Sequence, residues 1–135
     1  MAKDTWLLIG EPVAGEAERA IDWARRALRL SPMDRMAFAH HQVLAIGHFQ
    51  RERYEEAANA ARRAVLSNPS FSVSHSLLAA ALAKLGRTEE AKAAAMQVLA
   101  REPSFSSHRY CAAIGIVPEL AVAFTEAWKS AGLPP

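Results

Sequence analysis

Residues 53–69 read RYEEAANAARRAVLSNP, and two other stretches of the chain are variations on them. Thirty-four positions on, residues 87–103 read RTEEAKAAAMQVLAREP. They lay Glu89, Glu90, Ala91, Ala95, Leu99 and Pro103 over Glu55, Glu56, Ala57, Ala61, Val65 and Pro69. Thirty-seven positions back, residues 16–32 read EAERAIDWARRALRLSP and set Ala20, Ala24, Ala27, Leu28 and Pro32 on the same frame. A separation this regular marks a repeated supersecondary unit.

The small residues sit where a helix hairpin needs them. Ala20, Ala24 and Ala27, and again Ala57, Ala61 and Ala64, fall at i, i+4, i+7 on one helix face, where a second helix can approach closely. Each hairpin leaves apolar surface on its other side that only the next hairpin covers. Proline closes each unit, because it lacks the amide proton a helix interior requires and pushes the preceding residue out of the α region.

The frame predicts an all-α chain of about three hairpins with a C-terminal capping helix, read as one domain over residues 1–135. The first hairpin, residues 4–32, is abbreviated: residues 4–9 form a short helix interrupted by Gly10, Glu11 and Pro12, and a second helix runs from Glu16 to Leu30. Hairpin 35–69 follows, with helices over 35–50 and 54–67 and Asp34 as N-cap. Hairpin 72–103 has helices over 72–85 and 88–100, Ser70 or Ser72 as cap and Gly86 in the turn. Residues 104–131 restart the pattern at Ser104–Ala113, break at Gly115, and resume at Pro118 with Leu120, Phe124, Ala127 and Trp128 on one face until Gly132.

The 135 residues are enough for one domain with a core, and 51% are hydrophobic, much of that alanine, which suits thin, closely spaced helices. A net charge of +2 with interleaved signs describes a solvated helical surface and gives no reason to expect a nucleic-acid partner. Cys111 is the sole cysteine, so no intrachain disulfide or cysteine-based zinc cluster forms and a reducing interior is expected. The apolar run Trp6–Ile9 is too short for a signal-peptide core or a membrane span. The expectation is a soluble, cytoplasmic protein with no membrane partner.

These residues resemble the tetratricopeptide repeat family over about residues 14–112. The pattern of large, Leu, small, large, Ala, Ala and Pro is met by His75, Leu78, Ala79, Leu82, Ala91, Ala95 and Pro103, and by His41, Leu44, Ala45, His48, Ala57, Ala61 and Pro69. Two departures stand out: His41 and His75 occupy the usual Trp position, and Glu52 stands where Gly86 and Gly15 keep the turn glycine. A narrower likeness lies in ALRLSPMD, RYEEAANAARRAV, NPSFS, LAAALAKLGRTEEA and the closing PEL with AWKSAGLPP. These are similar to the region behind the catalytic domain of bacterial class III adenylate and guanylate cyclases. That resemblance implies a regulatory or scaffolding part, either a fragment of such a protein or a stand-alone relative.

In such a stack the inner helices line a concave groove. By register its lining is Ala39, Gln42, Val43, Ile46 and Phe49 from one hairpin and Val73, Ser76, Leu77, Ala80 and Lys84 from the next. One reading is a groove for an extended or helical apolar segment; the other is that the C-terminal helix partly fills it. The first reading expects Val43, Ile46, Phe49 and Leu77 partly exposed, with Phe49 the strongest contact. The Lys, Arg and Asn set by which some family members clamp a peptide carboxylate is absent, replaced by Gln42, Val43, Ile46, Val73 and Leu77.

His41, His48 and His75 are read as packing residues rather than metal ligands, and Cys111 as a small core residue. Arg25, Arg26, Arg62 and Arg63 recur at one register of the outer helices, either as a solvated face balanced by Glu18, Glu55 and Glu56 or as a stripe for an acidic partner. There is no glycine-rich phosphate loop, no paired carboxylates at motif spacing and no nucleophile with a base, so neither catalysis nor a cofactor is expected. The expected function is a non-catalytic module that binds a protein or peptide. The alternative is a homodimerisation element with no separate ligand, resting on the unpartnered Trp6–Ile9 and the apolar side of helix 16–30.

Overall fold

The computed structural model describes residues 14–114 and 118–135, so the expectations for residues 4–9 and Gly115 lie outside it. Among the described residues there are seven helices and no strand: α1 (Ala14–Leu30), α2 (Ala37–Gln50), α3 (Tyr54–Ser67), α4 (Ser72–Lys84), α5 (Thr88–Arg101), α6 (Ser107–Ile114) and α7 (Pro118–Ser130). Consecutive helices from α1 to α5 pack against one another as antiparallel neighbours, giving the expected stack of helix hairpins. None of these helices is long and apolar enough to cross a membrane.

The helix ends follow from local chemistry. α2 closes with Glu52 N–H on the Phe49 carbonyl (3.0 Å) and Arg53 N–H on the His48 carbonyl (2.8 Å). α4 closes in the same way thirty-four residues on, through Gly86 N–H on Ala83 and Arg87 N–H on Leu82, and α7 does so through Gly132 and Leu133. This double closure needs a left-handed residue just past the helix. Gly86 and Gly132 supply it at φ 77° and 96°, and Glu52 supplies it at φ 60° without glycine's freedom. The outer helices end differently: Asn68 is extended (φ −155°), its side chain accepts Ser70 N–H at 3.1 Å, and Pro69 stops the helix.

Two capping expectations are corrected. Asp34 Oδ1 accepts Met36 N–H at 2.7 Å, a turn ahead of the helix, so α2 begins at Ala37 rather than at 35. Neither Ser70 nor Ser72 caps α4: Phe71 stands at its N-cap, and the Ser72 hydroxyl donates to Glu102 instead.

Alanine decides the spacing between layers. Ala20, Ala24, Ala57, Ala61, Ala64, Ala91 and Ala95 are all buried. At the α1–α2 contact there is no room for a side chain at position 47: a Cβ on Gly47 would stand 2.7 Å from Ile21 Cγ1. An ion pair recurs with the repeat along the outer edge: Glu18 meets Arg53 and, at 3.3 Å, Arg51, while Glu55 meets Arg87. The Arg53 and Arg51 guanidinium groups hold the Glu18 carboxyl below its usual range.

The C-terminal part extends and thickens the same core. α7 lies along α4 and brings Leu120, Phe124, Ala127 and Trp128 inward. Phe124 stacks on Phe49 with ring centroids 4.2 Å apart, and Trp128 meets Phe105 and Tyr110 edge-on. Beyond α7, the chain turns back to α6, where Ser107 N–H and the Ser107 hydroxyl both donate to the Pro134 carbonyl.

Candidate functional site

The inner helices α2 and α4 carry the ten groove residues on adjoining faces, as the register requires, but most of them are covered. Val43, Ile46, Phe49 and Leu77 are only 3%, 1%, 3% and 4% exposed, which overturns the expectation that they form an open floor. Gln42, Ser76 and Ala80 are buried as well, Ala39 and Val73 are half-buried, and Lys84 is exposed. The cause is α7. Its Phe124 ring covers Phe49, and the Trp128 indole N–H donates to the Ser76 carbonyl at 2.8 Å in a buried bond.

A hydrogen bond explains the burial of Gln42: its Nε2 donates to the Ser74 hydroxyl at 2.9 Å, bridging α2 and α4. A buried amide without such a partner would cost on the order of 1–3 kcal/mol, so this pair fixes the alignment of the two inner helices. Lys84, at the far end, lies over the Tyr54 ring at 5.5 Å from its centroid.

The remaining sequence candidates sort by environment. His75 is buried and its Nε2 lies 2.9 Å from the Pro69 carbonyl, which also accepts Arg101 Nε–H at 2.7 Å. A carbonyl can only accept, so this imidazole carries its proton on Nε2 and ties α4 to the preceding loop. Cys111 is buried and burial pushes its thiol up, away from the thiolate a nucleophile needs. Burial likewise pushes the Tyr110 phenol up to about 12, partly offset by the Ser72 and Ser76 hydroxyls. Among the described residues no group of three His, Cys, Asp or Glu stands where it could hold a metal ion.

The arginine register resolves differently from its expected balance. Glu18 and Glu55 pair with Arg53 and Arg87 at the helix starts, and of the four repeated arginines Arg62 alone has a carboxylate partner among the described residues, Glu90 at 3.4 Å.

A surface that the register did not single out is the rim where α2 and α4 begin. Met33 and Met36 are 91% and 54% exposed there, and Phe71, 44% exposed, stacks on buried Phe38 at 4.6 Å. Isolated exposed apolar residues are ordinary, whereas here three stand at the loops that lead into α2 and α4. The signal was available in SPMDRMAF and NPSF, where large apolar residues fall in the loops rather than on the helix faces.

Residues 48–113, which span the end of α2, all of α3, α4 and α5 and nearly all of α6, match the family model described as tetratricopeptide repeat. The fold is that of a tetratricopeptide-repeat solenoid. No curated protein matches the chain. Tetratricopeptide repeats generally mediate protein–protein interaction and are generally not catalytic. Here the C-terminal helix covers part of the repeat's concave lining, at Phe49 and Ser76.

Proposed function

We propose that this chain is a non-catalytic protein–protein interaction module whose contact surface is the apolar rim at the start of α2 and α4, entered through half-buried Ala39 and Val73. The observation that carries this reading is the exposure of Met33, Met36 and Phe71 beside the repeat's covered groove. Methionine adapts to irregular apolar surfaces and an aromatic supplies a large contact area for little ordering cost, so a polypeptide with protruding apolar side chains fits this rim. The regulatory or scaffolding role beside a bacterial class III cyclase domain, in the cytoplasm, belongs to the same reading and rests on the residue motifs alone.

The test is photo-cross-linking from position 71 in the full chain inside its host, with position 93 on the exposed side of α5 as control. A polypeptide adduct at 71 that Met36→Asp removes supports the module. An adduct between two copies of the chain, lost in the same variant, selects the homodimer instead. Equal adducts from 71 and 93 overturn both.

A further inference from the structure

Three helical stripes meet on the other flank of α2. Arg25 and Leu28 come from α1, His41, Leu44 and His48 from α2 at i, i+3, i+7, and Arg63 leads the stripe from α3. They line a cleft of about 350 Å3, at the lower end of the range in which proteins hold small organic ligands. We infer that this cleft between α1 and α3 is a binding site for a small monocarboxylate with an apolar body.

The first argument is unsatisfied polarity. His48 is only 4% exposed, His41 is half-buried, and the Nδ1 atom of each is buried without a hydrogen-bond partner. Buried polar atoms are nearly always paired, and both unpaired nitrogens belong to side chains that line this cleft. The second is unused charge. Arg51, Arg53, Arg62 and Arg87 each meet a carboxylate, whereas Arg25 and Arg63 meet none among the described residues. An arginine fork is shaped to receive a planar carboxylate through two parallel hydrogen bonds.

Charge balance selects the ligand class. Two guanidinium groups face one carboxylate, that of Glu56, and both imidazoles are held neutral at physiological pH: burial lowers each, helped by Arg63 and His40 at His41 and by Arg25 and Arg53 at His48, against Glu56 and Glu18. The cleft therefore carries one surplus positive charge. A carboxylate cancels it, while a phosphate monoester, near −2 at neutral pH, leaves surplus negative charge beside Glu56. Leu28, Leu44 and Ala60 give the body of the ligand an apolar floor, and the Asn59 amide adds a neutral partner.

The site shares no residue with the rim of Met36 and Phe71, so either reading stands if the other fails. The experiment titrates the full chain with hexanoate, 1-hexanol and phenyl phosphate while imidazole resonances are followed by NMR. Hexanoate is expected to shift His41 and His48 and saturate at millimolar concentration, with 1-hexanol and phenyl phosphate at least fivefold weaker. Arg25→Gln and Arg63→Gln, both at surface positions and checked for unchanged melting, should each weaken hexanoate at least fivefold. Equal binding of hexanol, preference for phenyl phosphate at pH 7.5, or unmoved imidazoles in hexanoate overturns the assignment.

Discussion

Glu52 occupies a left-handed backbone position whose repeat-related counterpart is Gly86, and both positions complete the same pair of closing hydrogen bonds. A side chain at φ 60° costs roughly 1 kcal/mol that glycine does not. Glu52→Gly is therefore expected to raise stability by about 1 kcal/mol, read as a melting temperature a few degrees higher; an unchanged or lower value would mean that Glu52 is otherwise compensated. The buried imidazoles give a second expectation. His41 and His48 have folded values below 6.5, chiefly through burial, so below pH 6.5 the unfolded chain binds more protons than the folded one. Their contribution is complete above about pH 6.5 and is lost as pH falls from there toward the folded values. Denaturant midpoints from pH 8 to 5 should decline below 6.5, and the decline should be shallower in His48→Gln.

At the scale of elements the alanine face is the testable part. Ala57 and Ala91 are each 1% exposed at helix contacts, and Ala93 lies on the solvent side of α5. Leucine at 57 or 91 is expected to cost about 1–3 kcal/mol by overpacking, and leucine at 93 next to nothing; three equal melting shifts would refute the register. This register was legible from the sequence because it is local: the spacing of Ala57, Ala61 and Ala64 and the stop at Pro69 set α3 without reference to anything distant. The caps were less legible. Ser72 reads as a cap only until Glu102, thirty residues away, is known to take its hydroxyl. The groove was legible as a set of residues but not in its state, since α7 lies outside the thirty-four-residue frame and nothing periodic fixes which helix its aromatic face covers. The cleft between α1 and α3 is not legible in the sequence, because its histidines stand on an inner helix and its arginines on two outer ones, and no local spacing brings them together.

For the molecule as a whole, the C-terminal aromatic cluster decides whether Phe49 of the inner helices is exposed. Trp128 joins the two parts through its bond to Ser76 and its contacts with Phe105, Tyr110 and Phe124. Trp128→Ala is expected to cost about 3–5 kcal/mol and to release α7 ahead of the stack. In that variant, hydrogen exchange should accelerate at α7 and α6 while α2 and α3 keep their protection; uniform acceleration would show that α6 and α7 unfold together with the stack. The stacked rings of Phe49 and Phe124 carry a further consequence. Phe124 reaches past α4 to the inner helix one hairpin earlier, and thirty-four residues beyond Phe49 the same register holds Ala83. A stack lengthened by one copied unit, residues 53–86, would therefore offer the closing helix a methyl group where it now meets a ring. The rings act as a gauge of length, telling a stack of this size from one a hairpin longer.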